Sequence, residues 1–531
     1  MGENRLESPD APTMAGPEGL PAKAERRRTA AGSMPRATAY GVAVAAVVLL
    51  LARLSLVPIR SDDIFFYLAL GRRLFADGGL PATDPYLFTL RGHRWEVWHE
   101  WGSFALAYLV HAAAGWAGLI AGKTILIVGA YSLPLLLARV YGKRRAIVPV
   151  IVAVAAVAGA PRFIERSSLF SDVLGTAVLA FVLIAAEAGD RAWRRPWPAL
   201  IVGTFAIWAN LHPGFLAGLV ILAVHAAARL VSRQPAKREL LLLGGAVLAC
   251  LVNPQGPRVF AYPLRPLLDP SWAAFRASNF EWRSTLEPSN LGLTSTRALL
   301  ALVAVAVALL ATSLARKTLR VHEHDTAFTL LAGAWLTYLG LSAVRFVLPA
   351  SLGLALIVTV LARRAGALDA VRGQWAVALP FAAAVVYVVL QRETPGGHLP
   401  LPVPGATALD ESVLPVRAAE VVDGLDPDVR IFNQHEFGSY LIWRWDGRRK
   451  VFYHGFVTDL GFYQEDYIAI NRSAADFTRI VEKYDVGAFL LAAYPASRTK
   501  GPRLYRTLLS SPAWRLAYHD EAAMLFVKKT P

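Results

Sequence analysis

Apolar residues recur along this chain in long blocks of Ala, Val and Leu, near residues 38–58, 118–140, 146–160, 171–188, 197–211, 213–230, 239–252, 298–315, 326–343, 345–362 and 374–391. Runs of this length and purity predict helices that cross a bilayer, the shorter ones by standing nearly upright or extending into their flanks. The segment WGSFALAYLVHAAAGWAG, residues 101–118, is interrupted by His111 and by glycines, and predicts a re-entrant or interfacial stretch in place of a full crossing. The pattern thus predicts an α-helical polytopic membrane protein of about eleven to thirteen transmembrane helices.

Beyond residue 391 the pattern changes. VRIFNQ and RKVFYHG read as strands, SAADFTRIVEKY as a helix opened by a Ser cap, and VGAFLLAA as a buried strand. RLYRTLLSSP reads as a further helix and WRLAYHDEAAMLFVKK as a closing hairpin. Alternating strand and helix predict a small α/β domain over residues 392–531, reached through the Pro-rich, extended linker QRETPGGHLPLPVPG. It has no GxGxxG phosphate loop, so nothing in it argues for a nucleotide.

Charge fixes the expected orientation. The 531 residues are 55% hydrophobic and 18% charged, with a formal charge of +16. In a soluble protein that excess would suggest nucleic acid, but here Lys and Arg cluster in connectors such as YGKRR, GDRAWRRPW, ARLVSRQPAKRE, ARKTLRVHEHD and ARRAGALDAVRGQ, so topology accounts for them and no nucleic-acid partner is expected. Residues 1–36, with KAERRR, read as a disordered basic cytoplasmic tail; the competing reading is a signal peptide, disfavoured by the length of the apolar block that follows. A membrane domain then spans 37–391, with outer loops 59–100 and 253–297, and an odd number of crossings puts 392–531 on the outer face. The single cysteine, Cys250, lies in an apolar block and excludes both a disulfide framework and a Cys metal site.

Two long loops and a soluble domain on one face place the chemistry there. Asp62 and Asp63 open the stretch SDDIFFYLALGRR, whose apolar spacing predicts a helix lying along the membrane surface. They have two readings: with Ser61 they cap that helix and favour its dipole, or one of them faces a cavity as a general base toward an acceptor hydroxyl or amine. His99 and Glu100 precede an apolar segment and are candidates to line the same cavity, whereas Trp95, Trp98 and Trp101 fit an interfacial aromatic belt. At other outer span ends stand Arg162, Glu165 and Arg166, Asn210 and His212, Asn253 and Arg258, and Arg345. Singly each reads as a snorkelling cation or a cap; together the arginines suit a lipid phosphate or pyrophosphate, which guanidinium binds in bidentate fashion.

The acidic pair after the first span, the loop ending HEW, the turns NLHPG and NPQG, and the tail motifs FNQHEFGSYLIWRW and KVFYHG resemble prokaryotic membrane glycosyltransferases of the GT-C superfamily, related to the polyprenyl-phosphate-mannose protein mannosyltransferases and the aminoarabinose transferase. The resemblance runs over roughly residues 38–531. It implies an inverting transfer of a sugar from a polyprenyl-phosphate-linked donor to a glycan, lipid or protein acceptor, on the outer face of the cytoplasmic membrane. It implies Asp62 or Asp63 as catalytic base, with Arg162, Arg166, Arg258 and Arg345 as phosphate-binding candidates and His99, Glu100, Asn210 and His212 in the same substrate site. The mannosyltransferases often read Asp-Glu and a later His-Pro-Pro where this chain has Asp-Asp and HEW. Some oligosaccharyl relatives use a divalent cation, so Mg or Mn is a possible cofactor, although no ligand spacing here compels one. Two other functions stay open on the residues alone: a lipid or sugar transporter or flippase, and a non-catalytic scaffold that keeps this layout.

Overall fold

The computed structural model describes residues 36–94, 98–188, 193, 196–319, 323–370, 373–390, 408–457, 459–493 and 502–529. The N-terminal tail, Trp95 and the Pro-rich linker fall outside them. Each of the apolar runs named above coincides with a helix: α1 (Arg36–Ser55), α3 (Trp101–Val140), α4 (Ile147–Gly159), α5 (Ser168–Ala188), α6 (Trp197–Leu211), α7 (Phe215–Val231), α8 (Lys237–Cys250), α9 (Thr294–Ala315), α10 (His324–Ser342), α11 (Val347–Arg364) and α12 (Gln374–Leu390). Among the described residues, five helices are long and apolar enough to cross a membrane by length and composition alone. Helices form here because a chain in hydrocarbon must satisfy every backbone N–H and C=O within its own segment.

Position in the bundle follows from what each helix carries. The stretch Val344–Arg364 is 78% buried inside the protein, while Thr294–Ala315 is only 17% buried and turns its apolar surface outward. On α11 the buried hydroxyls of Ser351 and Thr359 donate to carbonyls of their own helix, Leu348 and Ala355, so a central helix carries them without an orphaned donor.

α3 is two helices in series. Gly115 has φ 60° and ψ −155°, a conformation essentially reserved for glycine, and it breaks the helical path. The stretch before the break, residues 101–114, is about 21 Å long at 1.5 Å per residue, short of a hydrocarbon core of about 30 Å. It lies against α2 (Asp63–Asp77), where Gly71 lets the two backbones meet: a Cβ there would run into the Phe104 carbonyl and the Tyr108 side chain.

The C-terminal region holds α13 (Val416–Asp423), β1 (Arg430–Asn433), α14 (His435–Trp445), α15 (Ala474–Tyr484), β2 (Val486–Ala492), α16 (Arg503–Ser510), β3 (Trp514–His519) and β4 (Ala523–Lys528). The sheet order is β1-β2-β4-β3, with β1 parallel to β2 and the other pairs antiparallel. Ser473 caps α15, accepting from the Asp476 amide at 2.9 Å. RKVFYHG, expected as a strand, is irregular and makes only a single bridge, Val451 with Leu87. It is diverted because His454 Nε2 reaches Asp84 Oδ2 at 2.7 Å, a fully buried contact to the segment between α1 and α3.

That contact is part of a larger union. Ile64, Phe65, Phe66 and Tyr86 of the segment between α1 and α3 share one hydrophobic core with Tyr440, Phe452, Val486 and Phe526 of the C-terminal region. Phe66 stacks on Phe456 with ring centroids 4.1 Å apart. The loop and the α/β region are therefore a single layer, and that layer carries α14 onto α2.

Candidate active site

Asp62 occupies the N-cap position of α2 but has helical dihedrals, and its side chain caps no backbone amide. Capping is thus not what the carboxylate is for. Its Oδ2 accepts a hydrogen bond from Ser439 Oγ of α14 at 3.3 Å. Burial, and secondarily Asp63, raise its pKa to about 7, while the facing His435 pulls the other way.

Asp63 points elsewhere. It forms an ion pair with the Arg166 guanidinium, which also binds Glu281 Oε1; Arg162 donates to the same oxygen at 2.6 Å. Two carboxylates and two guanidiniums so alternate along a chain joining α2, the turn before α5 and the loop between α8 and α9. Burial raises the pKa of Asp63 against the pull of Arg166. Burial also opposes the Glu281 charge, but Arg166 and Arg162 outweigh it and hold Glu281 well below the usual carboxylate range.

A second polar line runs behind the first. Tyr67 donates to Ser167 Oγ at 3.0 Å, and Ser167 donates to Glu100 Oε2 at 2.9 Å. Glu100 Oε1 lies 3.5 Å from His99 Nε2 and 3.9 Å from His212 Nε2. His212 Nδ1 accepts from the Gly214 amide at 3.0 Å and sits 2.7 Å from Ser171 Oγ, which itself accepts from Trp208. The ring proton is therefore on Nε2, aimed toward Glu100, and burial keeps this histidine neutral, with its pKa pushed down to about 4. His99 is buried, stacks on Tyr262 at 3.7 Å, and neither ring nitrogen has a hydrogen-bond partner among the described residues.

No protein-family model matches this chain, and no curated protein does. Solved structures do match. ArnT from Cupriavidus metallidurans in the apo state aligns with a TM-score of 0.53 at 15% identity, over 93% of this chain and 98% of that one. The same enzyme bound to undecaprenyl phosphate gives 0.51 at 14%, over 91% and 97%. The Archaeoglobus fulgidus oligosaccharyltransferase tethered to an acceptor peptide with the NVT sequon gives 0.53 at 13%, over 85% and 69%. The chain shares the fold of these two membrane proteins.

Within this fold, Asp62, Asp63, His99, Glu100, Arg162, Arg166 and His212 converge at the end of the bundle under the C-terminal layer. Arg345 adjoins them: its guanidinium lies 4.2 Å from the centroid of the Trp282 ring, next to Glu281, and pairs with no carboxylate among the described residues. Two candidates stand apart. Asn210 accepts from Trp101 Nε1 at 2.6 Å and donates to the carbonyls of Ala206 and Val252, so it ties α3, α6 and the end of α8 together. Trp101, taken for a belt residue, is half-buried in that joint. Arg258 is exposed on its loop and has no ion pair with the cluster. Glu165, at the same span end, pairs with Lys123 at 2.6 Å, away from Asp62.

Sequence reasoning missed Glu281, Ser439, His435 and Glu436. His435 Nδ1 is 2.9 Å from Glu436 Oε2; burial opposes its charge, but Glu436 and Asp62 raise its pKa. Within HEFGSYLIWRW, Phe437, Tyr440 and Ile442 are core, while His435, Glu436 and Ser439 face Asp62. A resident divalent cation does not fit this donor set. Arg166 and Arg162 already engage Asp63 and Glu281, and the described residues contain no group of three or more His, Cys, Asp or Glu able to hold a metal.

Proposed function

We propose that this protein is an inverting glycosyltransferase that moves a sugar from a polyprenyl-phosphate-linked donor to an acceptor on the non-cytoplasmic face of a prokaryotic cytoplasmic membrane. The observation that carries the reading is the placement of Asp62: a carboxylate at the start of α2 that bonds Ser439, pairs with no guanidinium among the described residues and lies beside arginines in a GT-C-like fold, where burial raises its pKa to about 7. A base needs to be ionised yet basic enough to take a proton, and a pKa near the working pH meets both demands.

Asp62 accepts the proton of the acceptor hydroxyl or amine as that atom attacks the anomeric carbon. The bond from that carbon to the lipid phosphate oxygen breaks, and the electron pair leaves on the phosphate. Arg345, held against Trp282, and Arg162 stabilise the charge that develops there. Asp63 takes no proton; its ion pair with Arg166 sets the start of α2 and so the position of Asp62. The undecaprenyl phosphate and dolichol-phosphate complexes of the structural neighbours support a lipid-phosphate site of this kind. The test is binding of undecaprenyl phosphate to the purified full-length protein, in native form and as Arg345→Gln. The reading expects binding that weakens about tenfold or more in the variant, the scale of one charge-assisted contact; equal binding by both, or none by the native protein, overturns it.

A further inference from the structure

A hollow lined by basic and aromatic side chains lies beside the middle of α2, away from Asp62. It has a volume of about 790 Å³ and is walled by Leu68 and Arg72 of α2, Tyr108 and His111 of α3, and Trp443 to Trp445, Arg448 and Arg449 at the end of α14. Four guanidiniums surround it and only two are matched by acids. Arg444 binds Asp423 at 2.7 Å and Arg72 binds Asp446 at 2.7 Å. Among the described residues Arg448 and Arg449 pair with no carboxylate. Arg448 donates to the Trp445 carbonyl, and Arg449 to those of Val429, Leu425 and Asp426. Neutral carbonyls hold these side chains in place without cancelling their charge, and the Nε of Arg72 is buried with no partner at all.

The surroundings say which anion reaches this place. Tyr108, in the wall of the hollow, stacks on Phe75 with ring centroids 5.5 Å apart. Phe75 is 51% exposed, as is Leu109, and Leu106 beside them is 40% exposed. A bare apolar strip on two surface helices, adjoining a basic and aromatic hollow, is the arrangement of a membrane interface, with acyl chains on one side and head groups on the other. We propose that this hollow binds the phosphate head group of an anionic membrane phospholipid, with Arg72, Arg448 and Arg449 on the phosphate and Trp443 and Tyr108 along the glycerol and upper acyl chain. The proposal is independent of the chemistry at Asp62. Its role is to fix the α2–α14 layer against the bilayer surface.

The experiment uses full-length protein purified in detergent and native mass spectrometry with added phosphatidylglycerol, phosphatidylcholine or inorganic phosphate. The native protein should retain phosphatidylglycerol at least about tenfold better than phosphatidylcholine, the scale of charge-assisted phosphate contacts. Arg448→Glu, at an exposed position just past α14 whose side chain bonds only the Trp445 carbonyl among the described residues, should abolish that preference while thermal melting stays unchanged. Arg72→Gln should reduce it. Equal retention of both lipids, a preference that survives Arg448→Glu, or displacement of phosphatidylglycerol by millimolar inorganic phosphate each overturns the proposal, the last because the hollow would then select free phosphate.

Discussion

Asp63 meets Arg166, whose guanidinium also holds Glu281, whereas Asp62, one residue earlier, bonds among the described residues only the hydroxyl of Ser439, across 3.3 Å. The two side chains leave the first turn of α2 in different directions, one into an ion-pair chain and one toward the C-terminal layer. Burial acts on both, but Asp63 contacts a guanidinium directly, whereas Asp62 feels the charges of His435 and Arg166 without an ion pair to either among the described residues. On the proposed reading the two acids carry different work: the paired one anchors, and the unpaired one takes the proton. The lesson is that an acidic pair at a membrane exit has no role as a pair. Its chemistry is assigned by which neighbours the distant loops deliver.

The comparison breaks most visibly in transfer assays. Asp62→Asn keeps the side-chain shape and the Ser439 contact but cannot take a proton, so transfer should fall by about 10²–10⁴-fold, the usual range for a lost general base. Asp63→Asn should act mainly on stability, since removing one partner of a buried pair costs about 3–5 kcal/mol; thermal melting of the purified variant checks it. Arg166→Gln should resemble Asp63→Asn, because it leaves Asp63 unpaired and strips Glu281 of one of its two guanidiniums.

Smaller effects sharpen the contrast. Gly115→Ala puts a Cβ on a backbone at φ 60° and ψ −155°, and should lower stability by about 1–3 kcal/mol without touching either acid. The pH profile separates the two acids again. With Asp62 titrating at about 7, kcat/KM should fall as pH drops through 7 and level off above it. Because the folded-state pKa of Asp62 lies above that of the unfolded chain, its contribution to stability is present below about pH 4 and is lost as pH rises through 7. His435→Gln removes a positive charge facing Asp62, so the acid limb should move upward by up to about one unit. Glu436, Asp63 and Arg166 act on Asp62 as well, and the shift is read against their unchanged background.

The helices of the bundle were legible because a hydrocarbon solvent writes itself into composition: every apolar run returned as a helix. The helix after Asp63 and the elements from β2 to β4 were legible for a similar reason, since a buried face imposes period on the side chains, but the first half of that helix is buried under the C-terminal layer and does not lie along a surface. The strand expected at RKVFYHG failed because a single buried contact, His454 with Asp84, overrode its alternation. In the site, Asp62, Asp63, Arg162 and Arg166 were visible as polar residues at span ends. Glu281 was not, since its partners Arg162 and Arg166 lie 119 and 115 positions away and nothing local marks it. Asn210 looked the same in sequence as His212, yet its amide is spent on a helix joint. Spacing reports which face a residue takes; it does not report which distant loop arrives there.

The most direct measurement is the initial rate of sugar transfer by purified, reconstituted Asp62→Asn and Asp63→Asn proteins, each scaled to its folded fraction by thermal melting. The account predicts that Asp62→Asn melts at or above the native temperature and has lost transfer, while Asp63→Asn melts lower and keeps measurable transfer per folded molecule. Native-like transfer by folded Asp62→Asn would contradict it.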